Sequence, residues 1–374
     1  MAYFSDAQRF FRTFLLPMRF FRQRLLRLVY GVPREARGPF RPEQIRKVLL
    51  VRRNGIGDMI CALPLIRNIH AAWPHAQLDV VAGEKNACFL ERLDAVHHTY
   101  VYRRGKGLFR NHYLNLPRFL EPIREQSYDL IIAVKAGFSS LLAVIAYASK
   151  IPWRLGYVPS RGHPMDFCFN LKVELPRERE HQVESCLRFL EPIGITKVSR
   201  DVSIRLSSGH ERYADEVLEK AGLAPRKFVL FNASSERPES RWKPEAIAQT
   251  ALGLEKLFDL PTVLCGVPED RGYLLAARHL GSSAIRTVVE TPTILHFAAL
   301  TGRSRFLMCG DGAPMHVAAA MKTPVFVLFS TTDPRIWGPV GVIFSHAQCR
   351  RTVDDIIPSD VLSKVGEWLP GLPY

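Results

Sequence analysis

From Lys47 onward, short aliphatic and β-branched runs alternate with longer stretches in which apolar residues recur every three or four positions. The short runs predict strands over Lys47–Arg52, Gln77–Ala82, Thr99–Tyr102, Asp129–Val134 and Arg154–Tyr157. Helical periodicity lies between them, as in Asp58–Ala72 and Leu116–Gln126, and Leu141–Ala148 has the length of a buried helix. The alternation weakens between about Pro159 and Pro225, where Glu180–Ile195 still reads as a helix ending at Gly194. A second series follows. Its strands are Phe228–Asn232, Thr262–Cys265, Ala284–Val289, Arg305–Cys309 and Pro324–Phe329; its helices are Pro244–Phe258, Asp270–Leu280, Thr293–Thr301 and Pro314–Met321, with a last helix at Ser359–Leu369. Such alternation predicts an α/β protein with parallel sheets covered on both faces. The boundaries read as an extension and linker over 1–40, one α/β domain over 41–205, a second over 206–350, and a C-terminal helix over 351–374 that could pack back on the first domain. The two series share no sequence repeat.

The first thirty residues follow another pattern. Gln8 to Tyr30 carries six arginines and no acid. On a helical wheel Arg9, Arg12, Arg19, Arg24 and Arg27 fall in one half, and Phe10, Phe11, Phe14, Met18, Phe21, Leu25 and Leu28 in the other, with Pro17 expected to split the stretch into two short helices. A basic face opposite a Phe/Leu face suits a helix lying in a membrane interface; the alternative is a helix packed on the protein's own core with its arginines in solvent. No apolar run approaches the roughly 20 residues of a membrane span, and no signal peptide is expected. The net charge of +15 favours anionic partners without choosing among nucleic acid, anionic lipid and phosphorylated substrates. The seven cysteines form no Cys-x-x-Cys pair, which speaks against a zinc site or a disulfide framework and suits a reducing compartment.

Four loops between a strand and a helix carry the candidate chemistry. In Gly310-Asp311-Gly312-Ala313 a strand ends and a helix begins near Pro314; small residues and free N–H groups there suit a phosphate. Asp311 would repel it, so this residue reads as a helix cap or a contact to a sugar hydroxyl; His316 is either a packed helix histidine or part of the site. The loop after Asn232 holds the hydroxyls of Ser234 and Ser235 and the cations Arg237, Arg241 and Lys243, a set suited to a diphosphate. After Cys265, Gly266 turns the chain, and Glu269 or Asp270 either caps a helix or accepts from ribose hydroxyls. In the first series, Asn54-Gly55-Ile56-Gly57-Asp58 follows Arg52 and Arg53. It lacks the third glycine of a dinucleotide fingerprint and any Gly-Lys-Ser/Thr. Asp58 is either a cap or a general base for an attacking hydroxyl.

In these loops the chain resembles glycosyltransferase family 9, the heptosyltransferases of lipopolysaccharide core assembly, from about Lys47 to Pro339. "VRRNGIGDMICALPLIRNI" is similar to the family's first loop and helix, and "CGDGAPMHVAAAMKTPVFVLFSTTDPRIWGP" to its Asp-Thr/Ser-Gly-Pro-Met-His helix and following strand. The resemblance implies a GT-B fold, two Rossmann-like domains whose parallel sheets face a central cleft. It implies inverting transfer from ADP-heptose to a lipid A–Kdo–heptose acceptor, with no metal and no cofactor beyond the donor substrate. It places Asp58 as catalytic base and Ser234, Ser235, Arg241, Lys243, Gly266, Glu269, Asp270, Thr293, Asp311, Gly312, Ala313, Met315 and His316 around the donor. Arg52, Arg53, Asn54, Gly55, Gly57, Lys135, Arg154 and Arg161 become candidate acceptor contacts, and His181 a further one. The sequence departs from the family at Asn54-Gly55, where two serines are usual, at Gly312-Ala313, and at Ser240, where a lysine is usual and Arg241 or Lys243 would have to substitute.

The expected partners are thus a nucleotide sugar, an anionic lipid-linked oligosaccharide, and the cytoplasmic face of the inner membrane through residues 8–30; nucleic acid is not expected. Two alternatives stand beside this: the same fold with another nucleotide sugar or glycan acceptor, and a non-catalytic protein that binds anionic lipid or nucleic acid. The latter calls for aromatics interleaved with basic residues across a docking face, whereas the aromatics here lie mainly in strands and in the N-terminal stripe.

Overall fold

The structure is a computed structural model that describes residues 16–34, 36, 38–103, 116–160, 163–174 and 178–373, with side chains from Met18 onward. The chain divides into two compact units, Met1–Ser199 and Arg200–Tyr374.

The first unit is built on a six-stranded parallel sheet in the order β3-β2-β1-β4-β5-β6. The strands are β1 (Lys47–Arg52), β2 (Gln77–Gly83), β3 (His98–Tyr102), β4 (Leu130–Ala133), β5 (Trp153–Tyr157) and β6 (Leu171–Val173). Val48 to Val51 have no exposed surface, because helices cover both faces of the central strand. The connecting helices include Ile56–Ala72, Leu116–Glu125 and Ser140–Ala148. The expected helix over Glu180–Ile195 is α-helical only at Gln182–Leu187. It then tightens to 3-10 over Arg188–Ile193, which contains Pro192, and closes at Gly194 with φ of +78°. A proline has no N–H for the ladder, and glycine adopts that φ without strain.

The second unit repeats the arrangement. Its strands are β7 (Val229–Asn232), β8 (Thr262–Gly266), β9 (Ile285–Glu290), β10 (Phe306–Gly310), β11 (Val325–Phe329) and β12 (Phe344–Gln348), again all parallel. The order β9-β8-β7-β10-β11-β12 is the first sheet's order shifted by six. It is the doubly wound arrangement, with its switch point between β1 and β4 and between β7 and β10. Two strands were not expected, β6 and β12. Both are edge strands; β6 has three residues, and the "FSHAQ" of β12 carries no apolar run.

The C-terminal helix, Pro358–Trp368, packs into the core of its own unit. Val361 and Val365 are fully buried among second-unit core residues, and the Trp368 ring meets Phe306 edge-on at 5.3 Å. At the other end, a helix runs over Leu16–Tyr30 with Pro17 in its first described turn, a position where its missing N–H costs little. Residues 8–15 lie outside the described residues.

Candidate active site

The first-unit loop grows from the carboxyl end of β1. Arg52 is 1% exposed. Its guanidinium donates to Asp58 Oδ1 at 2.6 Å, to the Asp58 carbonyl at 3.0 Å and to the Val134 carbonyl at 3.1 Å. Asp58 Oδ2 accepts from the Gly55 N–H at 3.1 Å, the reciprocal half of a helix N-terminal box. Asp58 is therefore both cap and ion-pair partner, yet its side chain keeps a quarter of its surface open to solvent. A carboxylate held at two points with one side open can still accept a proton from a hydroxyl brought to it.

Several expectations for this loop change. The sequence allows Gly55 and Gly57 an unusual backbone angle or a close approach, but Gly55 has φ of −62° and Gly57 lies within the first turn of the Ile56–Ala72 helix, so neither supplies an unusual angle. A close approach occurs at Gly83, where a Cβ would stand 2.4 Å from the Arg53 carbonyl oxygen. Asn86, which the sequence did not mark, fixes the loop. It is fully buried, donates from Nδ2 to the carbonyls of Asn54 and Gly55, and accepts from the Gly83 N–H at 2.8 Å. Arg52 is no acceptor contact, because its donors are all turned inward. Arg154 is likewise corrected. It is 8% exposed at the amino end of β5, and its guanidinium donates to the carbonyls of Cys168, Ile151, Pro152 and Arg34. Arg53 stacks over the Tyr102 ring at 5.4 Å. Lys135 is half-buried in the loop after β4. His181 is the N-cap of the Gln182–Leu187 helix. Arg161 lies outside the described residues.

In the second unit, the parallel sheet brings four loops to one edge, because β8, β7, β10 and β11 are neighbours and all end there. The Asp311 side chain is the hub. Arg237 Nη2 meets Asp311 Oδ1 at 2.7 Å, and Ser240 Oγ donates to the same oxygen at 2.6 Å. Asp311 is 3% exposed, so it does not contact a sugar; nor does it cap the helix, whose N-cap is Gly312 with φ of +135°. Only glycine holds that angle readily. Gly310 lets the Ser240 backbone lie close, since a Cβ would stand 2.5 Å from the Ser240 carbonyl oxygen. The buried indole of Trp242 pins the loop by donating to the Ile356 carbonyl at 3.1 Å.

The Ala313–Ala320 helix then opens beside Arg237, whose Nη2 lies 3.9 Å from the position a Gly312 Cβ would take. Met315 and His316 are buried, so this turn can offer backbone N–H groups but little side chain. Ser234 and Ser235 are half-buried and accept from nearby backbone: Ser234 Oγ accepts from the Val267 N–H at 3.0 Å, and Ser235 Oγ from the Arg237 N–H at 3.1 Å. Gly266 permits the first of these, since a Cβ there would meet Ser234 Oγ. Arg241 is paired with Asp270 at 2.9 Å, and the Lys243 N–H and Nζ both turn to Asp354. Neither takes the place left by Ser240, and the cation beside Gly312 is Arg237. Of the two candidate acids, Asp270 is buried against Arg241 and Glu269 is exposed. Thr293 caps the Ile294–Arg303 helix, with its hydroxyl 2.8 Å from His296 Nδ1. Burial pushes the Cys61, Cys265 and Cys309 thiols upward, so none of them is a ready thiolate nucleophile near these loops.

Two doubly wound parallel sheets, each with its candidate loops at the carboxyl ends of its strands, fit the α/β GT-B fold. The profile of glycosyltransferase family 9 (heptosyltransferase) matches residues 117–353, and the chain belongs to that family. It is 23% identical over 288 residues to lipopolysaccharide heptosyltransferase 3 of Escherichia coli (strain K12), covering 76% of this chain and 82% of that protein. It is 24% identical over 310 residues to lipopolysaccharide heptosyltransferase 2 of the same strain, covering 79% and 85%. Among solved structures, a family 9 glycosyltransferase from Veillonella parvula DSM 2008 superposes with a TM-score of 0.77 at 20% identity over 87% of this chain and 97% of that one. The E. coli heptosyltransferase WaaC with ADP gives 0.67 at 19% identity over 86% and 99%.

Proposed function

We propose that the protein transfers heptose from ADP-heptose, with inversion and without a metal, to the lipid A–Kdo–heptose inner core of lipopolysaccharide. The carrying observation is Asp58: a carboxylate at the carboxyl end of β1, oriented by a buried arginine and a backbone N–H, with one side open. In this reading Asp58 takes the proton of the acceptor hydroxyl as that oxygen attacks the anomeric carbon, and ADP leaves from the opposite face. The N–H groups near Gly312 to Met315 and the Arg237 guanidinium stabilise the diphosphate. Glu269 is the acid free to accept from ribose hydroxyls.

Support for the donor is indirect. The similar proteins are named lipopolysaccharide heptosyltransferases, and WaaC was solved both with ADP and with ADP-2-deoxy-2-fluoro heptose. Calorimetry with ADP, UDP and GDP on the purified chain tests it. Binding of ADP alone is expected, and a preference for UDP would overturn the heptosyl reading. A second reading keeps the fold and changes the sugar. It is favoured by Ser240 and Gly312, which stand where the family usually has a lysine and a hydroxyl residue, and the same titration followed by mass analysis of the transferred sugar separates the two.

A further inference from the structure

The helix over Leu16–Tyr30 buries the wrong side for a core helix. Leu26 and Tyr30 enter the first unit's core, and Arg19 is anchored to the buried Asp166 at 3.1 Å. These three lie within one narrow arc of the helix. The described residues of the apolar half identified in the sequence, Met18, Phe21, Leu25 and Leu28, are exposed. Phe21 and Leu28 are 69% and 85% exposed, and Met18, Leu25 and Val29 are exposed as well. At 100° per residue these five form one stripe about 100° wide. Arg24 flanks it on one side and Arg22 on the other, and the helix holds no acid. Among the described residues, this helix enters the first unit's core through Leu26 and Tyr30 and not through Met18, Phe21, Leu25 or Leu28.

We infer that this stripe is a docking surface for an anionic phospholipid bilayer. The occupant follows from charge: a contiguous apolar band bordered by arginines, on a chain of net charge +15, matches a surface with acyl chains beneath phosphate groups. The anchoring through Leu26, Tyr30 and Arg19 gives the helix a second function. It keeps the axis flat on the first unit, so that Phe21, Leu25 and Leu28 insert together while the arginines stay at headgroup level. No helix among the described residues is long and apolar enough to cross a membrane, so attachment through this helix lies at the interface.

Co-sedimentation of the full chain with vesicles tests this. Phosphatidylcholine–phosphatidylglycerol vesicles are compared with pure phosphatidylcholine, for the wild type, for Phe21→Ser/Leu25→Ser/Leu28→Ser and for Arg22→Gln/Arg24→Gln. The substituted apolar residues are exposed, and thermal melts confirm that the fold is kept. Wild type is expected to bind the anionic vesicles, more weakly at high salt. The triple variant should lose at least about a hundredfold in partitioning. The arginine variant should lose about thirtyfold, and only on anionic vesicles. Equal vesicle binding by triple variant and wild type overturns the proposal. So does a wild-type dimer that the triple variant abolishes while vesicle binding is unchanged, which would make the stripe a contact between copies.

Discussion

Arg52 donates to Asp58 Oδ1 at 2.6 Å from a position with almost no solvent exposure. The proposed base is thus also the counter-charge of a buried cation, and its removal tests two things at once. Asp58→Ala should abolish transfer and cost about 3 kcal/mol of stability, because it strands a buried guanidinium. Asp58→Asn keeps an oxygen for Arg52 and should retain more of that stability. It should still lose about 10² to 10⁴ in kcat, read by single-turnover sugar transfer alongside a urea melt. Activity near wild type in a folded Asp58→Asn protein would remove Asp58 from the chemistry.

Arg237 joins the Asp311 carboxylate to the opening of the Ala313–Ala320 helix. Its own side chain is 42% exposed, but that of Asp311 has no exposed surface. Arg237→Met should therefore cost about 1–3 kcal/mol of stability, because it leaves a buried carboxylate with Ser240 alone on that oxygen, and should weaken ADP affinity by about one to two powers of ten as one charge-assisted contact is lost. Arg241→Met, which removes the partner of the buried Asp270, should cost similar stability and leave ADP affinity unchanged. Calorimetry with ADP and thermal melts of both variants check the contrast.

Two glycines are required by neighbours and not by their own backbone angles. Gly83→Ala places a Cβ against the Arg53 carbonyl, and Gly310→Ala against that of Ser240. Backbone cannot rotate away, so each should cost about 1–3 kcal/mol and shift the adjoining loop. Gly83→Ala should lower acceptor-dependent turnover with ADP binding unchanged, whereas Gly310→Ala should weaken ADP binding; steady-state kinetics and calorimetry separate them.

His346 lies between the rings of Phe329 and Phe344. Burial, with Lys364 nearby, holds its imidazole below the ordinary value of 6.5. The unfolded chain therefore takes up this proton first as the pH falls below about 6.5. Over that window the unfolded state binds more protons, so stability decreases with falling pH. Urea midpoints at about pH 7.5 and about pH 5.5 should differ in that direction, and His346→Gln should reduce the difference.

Much of this was legible in the chain. The aliphatic runs of β1, β7 and β10 and the 3.6-residue periodicity of Ile56–Ala72 and Pro244–Phe258 are local signals, because burial on both faces of a parallel strand, or on one face of a helix, writes itself into consecutive residues. Asp58 and the Gly310–Ala313 turn were visible for the same reason. β6 and β12 were not: as edge strands they are held by pairing with a neighbour and need little apolar sequence.

What the sequence determined by itself was the class of protein, the elements and the loops in which charge and small residues collect. Tertiary structure alone decided what each charge does. Arg52, Arg154 and Arg241 read from the sequence as cations awaiting a ligand, yet each is turned to a carboxylate or to carbonyls within its own unit. Arg237, in the same loop as Arg241, is the one beside Gly312. The repeated strand order of the two sheets, absent from the sequence, and the outward face of the Leu16–Tyr30 helix belong to the same category. A side chain's partners come from residues far away in the chain. Whether a cation is buried and satisfied or left at a surface depends on which distant carbonyls and carboxylates the fold brings within about 3 Å of it.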